Sequence, residues 1–190
     1  MHKFNGGLKA ITGVMLVIIF AMIPSSIIFP QEDLSLSIIP LNSNWQIQGL
    51  FLTSLVCGPK IGVISAISYI IIGLFYLPVF HGGGSVGYII THEFGYLLGF
   101  IPAAWICGFL AKQNSKPNLI NYSFYTALSL CIVHIIGIIY LVFGKILGNW
   151  LDTLPDLILI NTLIPFPTQL LLCISISLLS IILKRILIIK

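Results

Sequence analysis

Three successive glycines, Gly82, Gly83 and Gly84, stand between two long apolar runs, flanked by Pro78, His81, Tyr88, His92, Glu93 and Tyr96. The chemistry these residue types suit is capture of a small molecule. Glycine lets bare backbone approach a ligand and offer it amide hydrogens. Tyrosine adds an apolar face with a hydroxyl handle. A non-helical loop at membrane depth is tolerated only where protein or a water-filled cavity satisfies its amides. A binding cavity is therefore expected here, with Gly82, Gly83, Gly84, Tyr88, His92 and Tyr96 as lining residues.

Other chemistries fit the same residues less well. Gly83-Gly84-Ser85-Val86-Gly87 matches G-x-S-x-G, but a nucleophile elbow needs a strand before the serine and a helix after it on a soluble sheet. Here the string interrupts apolar helices, so no enzyme is expected. His81, His92 and Glu93 lack both an H-E-x-x-H pattern and a second cluster to complete a metal shell, and no metal site is expected. No lysine is followed by serine or threonine, so a phosphate-binding G-x-x-x-x-G-K-[ST] loop is absent and ATP hydrolysis must fall to a partner. His134 stands in the middle of an apolar run. An ionisable group there is either functional, because it is costly in lipid, or a neutral imidazole bonded across helices.

Hydrophobic residues make up 58% of the 190-residue chain and charged residues 7%, with a mean hydropathy of +1.10. That composition excludes a soluble domain and predicts a single integral membrane domain over 1–190. A span takes roughly 20 apolar residues, so the expected fold is all-α, a polytopic bundle of six transmembrane helices over about 8–29, 47–57, 61–77, 87–111, 119–144 and 157–184. The breaks fall at Pro30, Gly58-Pro59, Pro78, Lys116-Pro117 and Pro155. The loop between the third and fourth helices, with its glycines, caps the cavity. The second segment is short for a span and has a polar entry, Asn42 to Gln48, which suggests a helix that begins inside the protein. The first run has no small-x-small cleavage site and is longer than a signal core, so it is expected to stay as a helix. The four cysteines sit in apolar runs without C-x-x-C spacing and read as packing residues.

Charge sets the orientation. With both termini cytoplasmic, six crossings put eight of the nine basic residues inside and only Lys145 outside. Glu32, Asp33, Glu93, Asp152 and Asp156 then fall on or near the outer side. The basic residues are scattered over several edges, which gives no nucleic-acid surface. Small residues recur as Gly95-x-x-x-Gly99-x-x-x-Ala103, on one helical face, for close helix packing or for a partner groove.

A longer series of residues resembles a known family. Gln48, Cys57-Gly58-Pro59-Lys60-Ile61-Gly62, Tyr69, Gly73-Leu74, Leu77-Pro78-Val79-Phe80, Gly82-Gly83-Gly84, Gly87-Tyr88 and Gly95-Tyr96-Leu97-Leu98-Gly99-Phe100 follow the order and spacing of the BioY family, the biotin-binding S components of energy-coupling factor transporters. The resemblance is close over about 45–111. It implies six helices in the cell membrane, an outward vitamin pocket under the loop between helices three and four, and biotin as transported ligand with no cofactor. It also implies a transmembrane coupling subunit with two ATPase subunits that hydrolyse ATP. The small residues at the cytoplasmic side of the first helix, notably Ala10 and Gly13, are the expected contact with the coupling subunit.

The resemblance further implies biotin contacts at the start of the last helix, where the family has a P-G-D-L-L-K-like string. Here the chain reads Pro165-Phe166-Pro167-Thr168-Gln169-Leu170-Leu171-Leu172, with Gln169 in place of the aspartate and Leu172 in place of the lysine. A carboxylate ligand then relies on backbone amides of 82–84 with Tyr88 or His92, and on Thr168. Gln169, Asn161 and Asn44 are left to offer donors and acceptors to a ureido group, and Tyr88, Tyr96 and Trp45 to stack on an apolar ring. The alternatives are an S component for another vitamin, an intramembrane enzyme using Ser85, or a structural helix bundle.

Overall fold

The computed structural model describes residues 2–30, 36–80, 83–113 and 117–187. His81, Gly82, Glu32, Asp33, Lys116 and Lys190 lie outside them. Among the described residues the chain is a bundle of six helices: α1 (His2–Ala21), α2 (Gln46–Cys57), α3 (Pro59–Phe75), α4 (Phe94–Gln113), α5 (Leu119–Ile146) and α6 (Leu154–Ile186). The last three are long and apolar enough to cross a membrane, and α2, α3 and the Gly6–Ala21 part of α1 are shorter apolar helices. Large side chains such as Ile11, Ile71, Phe109, Ile135 and Leu178 cover the outside of the bundle, as lipid-facing surface requires.

The short second helix is the centre of the bundle. Its 12 residues reach only about 18 Å at 1.5 Å per residue, and every residue from Gln46 to Val56 is buried. It packs against α1, α3, α4 and α6. Thr53 and Ser54 satisfy their buried hydroxyls on the carbonyls of Gly49 and Leu50, both at 2.9 Å.

Glycine decides how closely α4 and α5 approach. A Cβ on Gly99 would lie 2.8 Å from the Val133 Cα, and one on Gly137 would run into the Tyr96 ring. Gly95, Gly99 and Ala103 are all buried, so the small-residue face of α4 serves packing within the chain.

Three elements depart from the sequence expectation. The fourth helix, expected from 87, begins at Phe94, and Val86–Ile90 forms a separate 3-10 turn before it. The first helix ends at Ala21 rather than near 29, because Pro24 closes it and the residues after it, rich in β-branched and aromatic types, favour extended backbone. They form a hairpin, β1 (Pro24–Pro30) antiparallel to β2 (Leu36–Asn44), with Ile27 opposite Ile39 and a register irregularity between Pro24 and Ser26. The last helix begins at Leu154 and widens into a π turn over Leu159–Leu163 before continuing as Pro165–Ile186. Pro165 and Pro167 lack the amide hydrogens that an α-ladder would direct at Asn161 and Leu163, and the ladder shifts to Ile164 N donating to the Leu159 carbonyl at 3.0 Å.

Candidate functional site

The end of α1, the starts of α2, α4 and α6, the inner end of the hairpin and the middle of α5 meet around a cavity of about 830 Å³. Apolar walls come from Ala21, Met22, Pro24, Ile47, Leu97, Phe100, Ile160, Ile164 and Pro165. Polar groups come from Ser43, Asn44, Gln46, Tyr88, Glu93, Tyr96, His134, Asn161 and Gln169. Apolar walls that carry placed polar groups are the usual form of a small-molecule site, and here apolar and polar lining residues are equal in number.

The polar groups are held from behind. The π turn carries both Asn161 and Thr162. Asn161 Nδ2 donates to the Leu157 carbonyl at 2.8 Å, and the Thr162 and Tyr96 hydroxyls lie 2.7 Å apart. Gln169 Oε1 is 2.8 Å from His134 Nε2, and Gln48 Nε2 lies 3.4 Å from the Gln169 carbonyl. At the entry to α2, Gln46 Nε2 donates to the Tyr69 hydroxyl at 2.9 Å, which in turn donates to the Val79 carbonyl at 2.8 Å.

The segment between α3 and α4 covers one side of this space. Phe80 lies across Gly73, with its ring between Tyr69 (5.4 Å) and Tyr88 (4.7 Å). Val86–Ile90 is a 3-10 turn. Tyr140 donates to the Ile89 carbonyl, and Trp150 Nε1 donates to the Ile90 carbonyl at 3.2 Å. The same turn directs Tyr88 into the cavity wall. Burial, and then the neighbouring Glu93, push the Tyr88 hydroxyl above its ordinary range, so it stays protonated and donates to the Glu93 carboxylate. His92 Nε2 approaches Glu93 at 3.6 Å, an ion pair only when the ring is protonated.

Of the residues expected at the site, Tyr88, Tyr96, Asn161 and Gln169 come together on the cavity wall, with Asn44. His92 and Thr168 are beside it without lining it. Gly83 and Gly84 do not line the cavity. The Gly83 amide donates to the Phe80 carbonyl at 3.1 Å, so it is engaged within the loop instead of being offered to a ligand. A Cβ on Gly84 would meet the Gly73 carbonyl at 2.6 Å. Gly82 lies outside the described residues. Trp45 packs edge-on against Phe20 at 6.3 Å instead of entering the cavity. Leu172 is buried.

Part of the expected partner face is turned inward, at Gly13, while Ala10 is half-buried. Gly13 is buried, and a Cβ there would collide with Ser65 and Thr53, while Ser65 Oγ donates to the Ala10 carbonyl at 3.3 Å. Small residues at Ala10 and Gly13 thus bring α1 onto α2 and α3. Sequence reasoning did not single out Gln46, Leu97 or Phe100 as lining residues. The polar entry to a short buried helix was the available signal for Gln46.

The fold and cavity define a class of protein: a membrane-spanning six-helix bundle with a small-molecule-sized chamber at one end. The chain belongs to the BioY family, whose sequence model matches residues 3–188. It is similar to a "Probable biotin transporter BioY" of Lysinibacillus sphaericus, 34% identical over 56% of this chain and 54% of that one. A protein of the same description from Pyrococcus horikoshii is 36% identical over 40% and 48%. A "Biotin transporter BioY" of Thermotoga maritima is 30% identical over 58% and 64%. The matched region therefore spans about half to two thirds of these relatives. A crystal structure of the S-component for biotin from an ECF-type ABC transporter superposes with a TM-score of 0.74 at 20% identity, over 97% of this chain and 93% of that one, and shows the shared fold.

Proposed function

We propose that this protein is the substrate-capture subunit of an energy-coupling factor transporter, with biotin as its ligand. The observation that carries the reading is the cavity, whose volume and mixed lining suit a small amphipathic vitamin. Family membership and the names of the relatives support biotin as the occupant. On this reading the protein sits in the cell membrane with both termini cytoplasmic, takes biotin from the outer side, and works with a transmembrane coupling subunit and two ATPase subunits. Tyr88, Tyr96, Asn161 and Gln169 are the proposed ligand contacts, with Thr168 and His92 beside them.

Thermal unfolding of the detergent-solubilised protein across a vitamin panel tests this, because a ligand of the native state stabilises it by RT ln(1 + [L]/Kd). Biotin should raise the midpoint in a concentration-dependent way. A shift with a different vitamin and none with biotin would reassign the ligand, and no shift with any would favour a structural bundle.

A further inference from the structure

The charge of the cavity wall is one-sided. Among the described residues that line it, Glu93 is the one acidic group, and no lysine or arginine joins it. Its side chain is 45% exposed, so a molecule in the cavity can reach the carboxylate. Glu93 stands immediately before α4, where the helix dipole favours a negative group. That placement explains why the position tolerates a charge, but it supplies the carboxylate with no partner. An ionised carboxylate has two oxygens and about four acceptor sites. Tyr88 donates to it as a neutral hydroxyl. His92 Nε2 lies 3.6 Å from Oε1, beyond hydrogen-bond range. Among the described residues no lysine or arginine forms a salt bridge with Glu93.

The cavity also has room beyond its proposed occupant. At about 830 Å³ it is near the top of the roughly 300–1,000 Å³ range of small-molecule sites, and the fused rings and short chain of biotin leave part of it free. We infer that Glu93 is a specificity-determining residue that pairs with a cationic group of the ligand, and that the preferred substrate class is biotin capped at its carboxyl by an amine-bearing amide. This rests on the biotin reading above. An ammonium brings up to three donors and a full opposite charge to the carboxylate. The free acid brings neither.

The test uses two amides of biotin that match in length: the N-propylamide, which is neutral, and the ethylenediamine monoamide, which ends in an ammonium. Both are measured beside biotin on wild type and Glu93→Gln, with unliganded unfolding recorded for each protein. Wild type should bind the ammonium amide at least about tenfold more tightly than the propylamide, and added salt should reduce that advantage. Glutamine keeps the shape and an acceptor for Tyr88 while removing the charge, so in Glu93→Gln the two amides should bind within about threefold of each other. A role confined to the helix end would lower the unfolding midpoint of Glu93→Gln without moving this ratio. That outcome, or wild type indifferent between the amides, overturns the assignment and leaves the biotin reading standing. Wild type that binds another vitamin and none of the three biotin compounds removes that reading, and the substrate class with it. Should Glu93→Gln fail to fold, Glu93→Ser takes its place with the same expected ratio, since serine is uncharged and suits the position before a helix.

Discussion

Gln169 joins two roles on one side chain: it lines the cavity and it holds His134 at 2.8 Å. Replacing it with leucine removes a hydrogen bond and leaves an imidazole nitrogen without a partner in a buried place. A neutral bond contributes about 0.5–1.5 kcal/mol, and an orphaned buried group adds about 1–3 kcal/mol. The lost bond to His134 should lower the unliganded unfolding midpoint, and if the Gln169 amide contacts biotin as proposed, Gln169→Leu should also weaken biotin binding by about tenfold in a radioligand assay. Unchanged affinity would show that the amide does not touch the ligand. A second expectation comes from the charge of the wall. With Glu93 present and no lysine or arginine among the described lining residues, a free carboxylate gains no ion pair there, so biotin methyl ester should bind about as well as biotin. A strong preference for the free acid in a competition assay would place a cation nearer the ligand than this wall does.

At the scale of elements, the cover of the cavity is held by side chains from α5 and the loop after it. Tyr140 and Trp150 both donate to carbonyls of the Val86–Ile90 turn that carries Tyr88. Lys145 stabilises the loop that presents Trp150, donating to its carbonyl at 3.1 Å and to that of Asp152 at 2.7 Å. Trp150→Phe keeps most of the ring and removes the Nε1 hydrogen, a loss of about 0.5–1.5 kcal/mol. If the cover gates exit, labelled biotin should dissociate several-fold faster, up to about tenfold, with the unfolding midpoint little changed. An unaltered release rate would mean that the ligand leaves elsewhere. The α4 and α5 pair gives a cleaner stability test: Gly99→Ala forces a methyl group to 2.8 Å from the Val133 Cα. Overpacking against backbone destabilises by about 1–3 kcal/mol, visible as a lowered midpoint without ligand. These elements differ in how much the sequence disclosed. The glycine spacing on α4, the polar entry of α2 and the capping loop after α3 were legible because polar clusters stand out in a chain with only 7% charged residues, and because glycine and proline carry specific backbone meaning. The hairpin over Pro24–Pro30 and Leu36–Asn44 was hidden, since an apolar run reads alike as a short strand pair or as the end of a helix. The inward turn of Gly13 was hidden as well, because small residues mark a close approach without saying which helix makes it.

For the whole molecule, the division of charge between the two ends of the bundle predicts which way the cavity opens. Lys60 stands at the start of α3, Lys112 near the end of α4, and Lys184 with Arg185 near the end of α6. All of these lie at the end away from the cavity, where Lys184 Nζ donates to the Tyr122 hydroxyl at 2.8 Å beside the start of α5. The cavity end holds Glu93, Asp152 and Asp156, with Lys145 engaged by loop carbonyls. Basic residues are retained on the cytoplasmic side during insertion, so the cavity and its cover should face outward. Ser85 is exposed on that cover and reports on it directly. In a background without the four native cysteines, Ser85→Cys should react with a membrane-impermeant thiol reagent added to intact cells, and excess biotin should leave that labelling intact because Ser85 lies off the cavity wall. Reaction only after permeabilisation would invert the orientation, and would require eight of nine basic residues to have crossed or faced the outer leaflet.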